Sequence, residues 1–268
     1  MLDVIATLES NDDMLDYYSK IGYMELNNYY KNFMTLSRFR LKHKFPINSK
    51  NSFAVATINA FYSASENRIE VTPGILQPPV YYTDAPIALN FAAIGTLIGH
   101  EITHGFDDSG SQYDETGKEI NWWAKSTKEK YDEKVKCFED QYSSYTEPKT
   151  GLKVDGELTI GDNIADNGGL HQSFTAYRMY SSENPEMNLR LPGNLKKYTP
   201  EQLFFISYGS IWCENNSLQF AKEQITQDEH APARFRTIVP LSNLKEFAAA
   251  FKCASGTPMN PVNKCVLW

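Results

Sequence analysis

Apolar residues recur three and four positions apart through most of this chain, and the recurrence breaks where Pro, Gly, Asn or Ser cluster. The stretch DMLDYYSKIGYMELNNYYKNFMTLSRFRLKHKF (13–45) carries that spacing, so helices are expected up to about residue 45. The period then changes. SFAVATINAFYS (52–63) alternates and is rich in β-branched and aromatic residues, which predicts a strand. NRIEVTPGILQPP (67–79) predicts a second strand running into a Pro/Gly loop. Asp84 and Pro86 mark the start of a long helix through His104 that stops near Gly105. Residues 121–145 read as a helix, 146–157 as a loop, and 160–180 as a further helix ending in the polar turn SSENPEMN. Thr199-Pro200 opens a helix over EQLFFISYGSIWCENNSLQFAKEQ (201–224), and from Pro232 short helices alternate with loops up to the closing CVLW. Two strands beside so much helix predict an edge β-hairpin on a predominantly helical α+β body, without repeats or a clear domain boundary.

Composition narrows the function. At 268 residues, 41% hydrophobic and 22% charged, the chain is an ordinary globular sequence with room for a sizeable core. A net charge of -7 without a dense Lys/Arg cluster argues against nucleic acid as a partner. No stretch approaches the ~18 to 20 apolar residues that cross a bilayer. The best, APIALNFAAIGTLIG (85–99), is interrupted by Asn90, so this segment is expected to make no membrane contact. The start MLDVIATLESNDD is acidic and lacks a basic region and an apolar core, which taken literally predicts a cytosolic protein.

Within the long helix, IGHEITHGFDD (98–108) sets His100 and His104 four apart with Glu101 between them, the pattern H-E-x-x-H. At about 100° per residue, His104 lies roughly 40° around the helix from His100, and Glu101 roughly 60° from His104. All three share one side. Two imidazoles one turn apart can ligate a single Zn²⁺, and a carboxylate beside them can hold a water and take its proton. With five histidines in the chain, chance supplies well under about 0.05 such matches, which weighs against two plain core histidines. Asp107 and Asp108 follow His104 by three and four residues; either can accept a ring N–H and fix a tautomer, and a solvated helix end explains each equally well. The third ligand has to come from another helix. In IGDNIADNGG (160–169), Asp162 and Asp166 sit four apart on one face, so that one can reach the metal while the other holds a ligand histidine. The residues alone do not say which, and a capping Asp162 with a surface Asp166 is the plain alternative.

With these motifs in view, the chain resembles the zinc-bearing C-terminal part of the neprilysin and endothelin-converting-enzyme family of metallopeptidases. The matching stretches are INAFYS (58–63), GILQPP (74–79), IGHEITHGFDDSG (98–110), GDNIADNGGL (161–170), HAPARFR (230–236) and NPVNKCVLW (260–268), in the family's order. The resemblance implies a zincin fold of the thermolysin type, one Zn²⁺ per chain, and a metalloendopeptidase that cuts oligopeptides before hydrophobic residues. It implies His100, His104 and Asp162 as zinc ligands, Glu101 as the catalytic base, and Asp166 as the aspartate that orients a ligand histidine. His230 matches the histidine that stabilises the oxyanion, and Arg236 the arginine that grips a substrate carbonyl; a tetrahedral oxyanion does need donors beyond the metal. Asn59 and Ala60 match edge-strand residues that bind the substrate backbone. Val80 and Trp212 fall where the family lines the pocket for the residue after the scissile bond, with plain core packing as the alternative.

Two departures matter. The family has Glu where this chain has Asp162, a side chain shorter by one methylene, about 1.5 Å, while zinc–oxygen bonds cluster near ~2.0–2.2 Å. Either the helix shifts, a water intervenes, or the site weakens; a weakened site would leave a non-catalytic peptide- or partner-binding relative. Family members are also much longer, with a cytoplasmic tail, one membrane span and a large helical upstream region. Residues 1–268 are therefore expected to be the C-terminal part of such a peptidase, with the upstream region and anchor outside it. Of the four cysteines, spaced unlike a structural zinc site and open to three pairings, the resemblance implies Cys137 with Cys265 and leaves Cys213 and Cys253 free here. Asn215-Asn216-Ser217 is a glycosylation sequon, meaningful only in an exported domain. Together these favour an extracellular or secreted setting, in a membrane-anchored parent, over the cytosolic one.

Overall fold

The computed structural model describes residues 57–267, together with Ser19, Asn28, Lys31, Asn32, Met34 and Thr35. The helices expected up to about residue 45 lie outside the described residues, apart from helical Ser19, Lys31, Asn32, Met34 and Thr35; so does the 52–56 part of the first expected strand. The chain divides into two compact units, Met1–Thr57 and Ile58–Trp268, and the site is built by the second.

That unit has the expected α+β character. Its sheet is an antiparallel hairpin of β1 (Ala60–Ser63) and β2 (Arg68–Val71), with Ala60 opposite Val71 and Ser63 opposite Arg68. Asn67 closes the turn at φ 44°, a left-handed conformation that Asn tolerates better than most residues. After the Pro/Gly loop the long helix begins at Ile87 rather than near Asp84, because Pro86 is still extended. It runs as α1 (Ile87–Asn90), a π turn (Phe91–Gly95) and α2 (Thr96–Thr103). Around the π turn, the Ser173 and Ser207 hydroxyls donate to the carbonyls of Phe91 and Leu89, while Ile94 N–H donates to Val80 O at 3.2 Å. The loop carrying Val80 is thereby tied to the helix that carries the histidines.

Helix α3 (Lys125–Ser143) fully buries only Tyr131, Phe138 and Tyr142, whose spacings of seven and four make one inward face. Helix α4 (Ile160–Glu183) has no single apolar stripe, because its first half is buried on every side, Asp162 and Asp166 included. It runs between two hydrophobic clusters. Its Ile164 packs with Tyr131, Phe138, Tyr142, Phe235 and Val239, and its Phe174 and Tyr177 pack with Phe204, Phe205 and Tyr208. Helices α2 and α4 cross at backbone contact: a Cβ on Gly99 would lie 2.9 Å from Gly169 O, and one on Gly169 only 2.5 Å from His100 N. Two glycines therefore decide how close the histidine helix comes to the aspartate helix.

Thr199 opens α5 (Pro200–Ser210) with a reciprocal capping box to Gln202, as Thr-Pro predicts. The single helix expected over 201–224 is instead two. Residues 211–217 leave the helix, and Ser217 Oγ starts α6 (Leu218–Gln227) by accepting Phe220 N–H at 3.1 Å. Asn-Asn-Ser is the physical reason, since these side chains compete with helical hydrogen bonds and favour caps. Helices α7 (Ala233–Asn243) and α8 (Lys245–Phe251) complete the body. Cys137 and Cys265 form a disulfide that ties the tail to α3, whereas Cys213 and Cys253 are free.

Candidate metal centre and cleft

His100 and His104 face α4 from one side of α2, and Asp162 faces them from its first turn. His100 Nε2 and His104 Nε2 are 3.0 Å apart; Asp162 Oδ1 lies 3.4 Å from the first and 3.9 Å from the second. A point about 2.0 Å from all three atoms lies inside that triangle, the length of a zinc–nitrogen or zinc–oxygen bond. Asp162 Oδ1 is buried and has no hydrogen-bond partner, which is the condition of a carboxylate oxygen reserved for a cation. The donor set of two imidazoles and a carboxylate suits zinc. The shorter aspartate thus reaches the histidines directly in this fold.

Each of these groups is held from behind. His104 Nδ1 donates to Asp107 Oδ2 at 2.6 Å, and Asp107 Oδ1 accepts the N–H groups of Ser109 and Gly110. Asp108, the other candidate for this task, does not contact either imidazole. After Thr103 the chain tightens into a 3-10 turn, and the Asp108 carboxylate lies against Gly161 at the start of α4, where burial raises its pKa. His100 Nδ1 lies 2.9 Å from Asp166 Oδ1. Burial opposes protonation of His100, but Asp162 and Asp166 outweigh it and raise its pKa to about 9, so metal uptake there competes with a proton. Asp166 in turn receives Arg236, with Nε on Oδ2 and Nη2 on Oδ1, both at 2.8 Å. Burial would push the Asp166 carboxyl up; the Arg236 charge and hydrogen bonds, with His100, reverse this and hold it well below the usual carboxylate range.

A cleft of about 580 Å³ opens over these groups. It gathers Asn59, Ala60, Val80, His100, Glu101, His104, Asp107, Asp162, Trp212, His230 and Arg236, while Asp166 and Asp108 lie outside its lining. Glu101 is buried on its wall, and burial raises its carboxyl pKa against the lowering effect of His100 and His104. Arg236 stacks on Trp212, Cζ 4.1 Å from the ring centroid, so its guanidinium is committed on two sides before any substrate arrives. Asn59 Oδ1 accepts Ala60 N–H at 3.0 Å on the edge of the hairpin. His230, half exposed, points Nε2 to within 3.3 Å of Asp162 Oδ1 and gives Nδ1 to Asp228 Oδ1 at 2.8 Å. Asp228 was not singled out from sequence. The available signal was its position two residues before His230, from where its carboxylate also accepts the His230 backbone N–H at 2.9 Å.

Comparison with known proteins agrees with this geometry. The family described as Peptidase family M13 matches residues 59–267. Neprilysin-11 of Caenorhabditis elegans is 47% identical over 238 residues, covering 89% of this chain and 27% of its own length. The endothelin-converting enzyme homolog of Locusta migratoria is 39% identical over 264 residues, covering 96% of this chain and 36% of its own. Human membrane metallo-endopeptidase-like 1 is 43% identical over 214 residues, 27% of its length, so the chain spans about a third or less of these relatives. Among solved structures, the Haemonchus galactose-containing glycoprotein complex superposes with a TM-score of 0.81 at 32% identity, covering 94% of this chain and 43% of that one. An inhibitor complex of the Mycobacterium tuberculosis zinc metalloprotease Zmp1 gives 0.72 at 29% identity, covering 84% and 35%.

Proposed function

This chain belongs to peptidase family M13, and on that premise we propose that it forms the zinc-bearing C-terminal catalytic part of a metalloendopeptidase acting on oligopeptides. The observation that carries the reading is the closed triangle of His100, His104 and Asp162 with buried Glu101 beside it in one cleft. His100, His104 and Asp162 would hold the Zn²⁺, which when bound would supply Lewis acidity at the scissile carbonyl. Glu101, its carboxyl raised by burial, takes a proton from the attacking water and passes it to the departing amine. His230, fixed at Nδ1 by Asp228, turns Nε2 to the cleft to donate to the oxyanion. Asp107 and Asp166 keep the two ligand imidazoles in one tautomer and one orientation.

Substrate alignment falls to the hairpin. Strand β1 pairs with β2 along one edge, and no described strand takes the other, so an extended peptide can add there beside Asn59 and Ala60. Val80, Leu97 and Trp212 make the apolar wall of the cleft, which supports cleavage before hydrophobic residues. We place this domain on the extracellular side, in a membrane-anchored or secreted parent. Support comes from the Cys137–Cys265 disulfide, typical of oxidising compartments, and from relatives named as a membrane metallo-endopeptidase and a glycoprotein complex. Among the described residues no helix is long and apolar enough to cross a membrane.

The test is Glu101→Gln in the full natural polypeptide that carries these residues, assayed with fluorogenic peptides alongside zinc stoichiometry. The amide keeps the shape but accepts no proton. Hydrolysis should fall by at least ~10² to 10⁴ while one zinc per chain remains. Appreciable residual turnover with zinc bound would refute the role of Glu101.

A further inference from the structure

The loop between α5 and α6 holds the chain's one N-x-S/T sequon, Asn215-Asn216-Ser217, and peptide hydrolysis makes no use of it. Its setting is that of an acceptor. Residues 213–217 are neither helix nor strand, so the backbone can adopt the looped conformation that a glycosyltransferase requires. Asn215 is exposed and its side chain makes no hydrogen bond to a described residue. Ser217 is also exposed; its Oγ accepts Phe220 N–H at 3.1 Å, which leaves its own O–H proton available.

The surroundings also suit a bound sugar. Beside Asn215 runs a groove of about 460 Å³ walled by Pro148, Lys149, Pro232 and Arg234. Apolar rings and long cationic side chains together offer a face for a pyranose ring and donors for its hydroxyls. On the other side, Leu218 and Phe220 stand 48% and 50% exposed on the first turn of α6, apolar surface that a hydrated glycan would cover. Trp212 lines the cleft three residues before Asn215, a span of at most about 11 Å, yet Asn215 itself is not part of the lining. A glycan here borders the cleft without entering it.

We propose that Asn215 is N-glycosylated, a modification that rests on the extracellular placement given above. Asn215 Nδ2 attacks C1 of a lipid-pyrophosphate-linked oligosaccharide. The N–C1 bond forms as the C1–O bond breaks, the pyrophosphate leaves with the electron pair, and Nδ2 gives up one proton.

The experiment uses the full natural polypeptide produced in eukaryotic cells, with a second sequon added on a flexible C-terminal tag as a marker of luminal entry. Peptide N-glycosidase digestion in heavy-oxygen water, followed by mass spectrometry, reads occupancy at both sequons. Occupied Asn215 is expected, with the signal lost in Asn215→Gln and in Ser217→Ala and kept in Ser217→Thr. Asn215→Gln should leave kcat/KM on short peptides unchanged, since the residue lies outside the cleft. An empty Asn215 beside an occupied tag overturns the proposal. If both sequons are empty, the extracellular placement fails and takes the proposal with it, whereas the peptidase reading stands or falls separately on Glu101→Gln.

Discussion

Arg236→Met separates two roles for one arginine. If Arg236 serves only to grip a substrate carbonyl, its loss raises KM and touches nothing else. The structure gives it more to hold. Asp166 is 2% exposed, takes two hydrogen bonds of 2.8 Å from the guanidinium, and meets His100 Nδ1 at 2.9 Å. Methionine fills a similar volume but leaves that carboxylate buried with one partner, and breaking a buried pair from one side costs about 3–5 kcal/mol. The stacking of Cζ on Trp212 at 4.1 Å is lost as well, a further ~0.5–2 kcal/mol. An uncompensated Asp166 either gains a proton or turns away, and in both cases His100 loses the group that orients it. Zinc affinity should then fall by about 10- to 100-fold. Denaturant unfolding and chelator titration on the full polypeptide read the two effects, and Arg236→Met/Asp166→Asn should recover part of the stability because no buried charge is stranded. Stability within about 1 kcal/mol of wild type together with unchanged zinc affinity would defeat this reasoning and leave Arg236 as a substrate contact alone.

Asp162→Ala should lose zinc at low free metal, and Asp162→Glu should bind it more weakly than wild type: the carboxylate would overshoot by about 1.5 Å a triangle that already closes at bonding distance, against a tolerance near ±0.2 Å. Tighter zinc in the glutamate variant, by chelator titration, would show that Asp162 does not reach. Asp228→Ala should cut kcat by about 10- to 100-fold with zinc content unchanged, since it releases His230 Nδ1 and nothing at the metal; loss of zinc would make Asp228 structural instead. Chelation should destabilise the protein by about 4 kcal/mol when zinc had been present at a thousand times its Kd, read as a lower Tm, and an unmoved Tm would mean that no metal was held in the native state.

What could be read in advance follows from how local each feature is. His100, Glu101 and His104 share a face by helix geometry alone, so their pattern was legible without any partner. Asp162 and Asp166 were equally legible as a pair, but not their division of labour. That depends on how α4 crosses α2, which Gly99 and Gly169 set by allowing backbone contact. The choice of Asp107 over Asp108 turned on a 3-10 turn after Thr103, one tightened step that redirects each later side chain. The helix break at 211–217 was legible in principle, because Asn-Asn-Ser announces a cap, but the apolar spacing on either side masked it.

The charge of the site explains why such a helix is worth burying. Glu101, Asp107, Asp162 and Asp166 are all buried, four carboxylates around the α2–α4 crossing, and burial by itself disfavours each charge. Arg236 answers Asp166, backbone N–H groups answer Asp107, and Glu101 borders the open cleft. Asp162 Oδ1 faces three imidazoles at 3.3–3.9 Å and the Arg236 guanidinium at 3.8 Å, with no hydrogen bond to any of them. A divalent cation bound there would take the place of the proton that Asp162 and Asp166 hold on His100. The sequence therefore concentrates its electrostatic cost at the one oxygen where a metal returns it, and the rest of the carboxylates are satisfied by the chain itself.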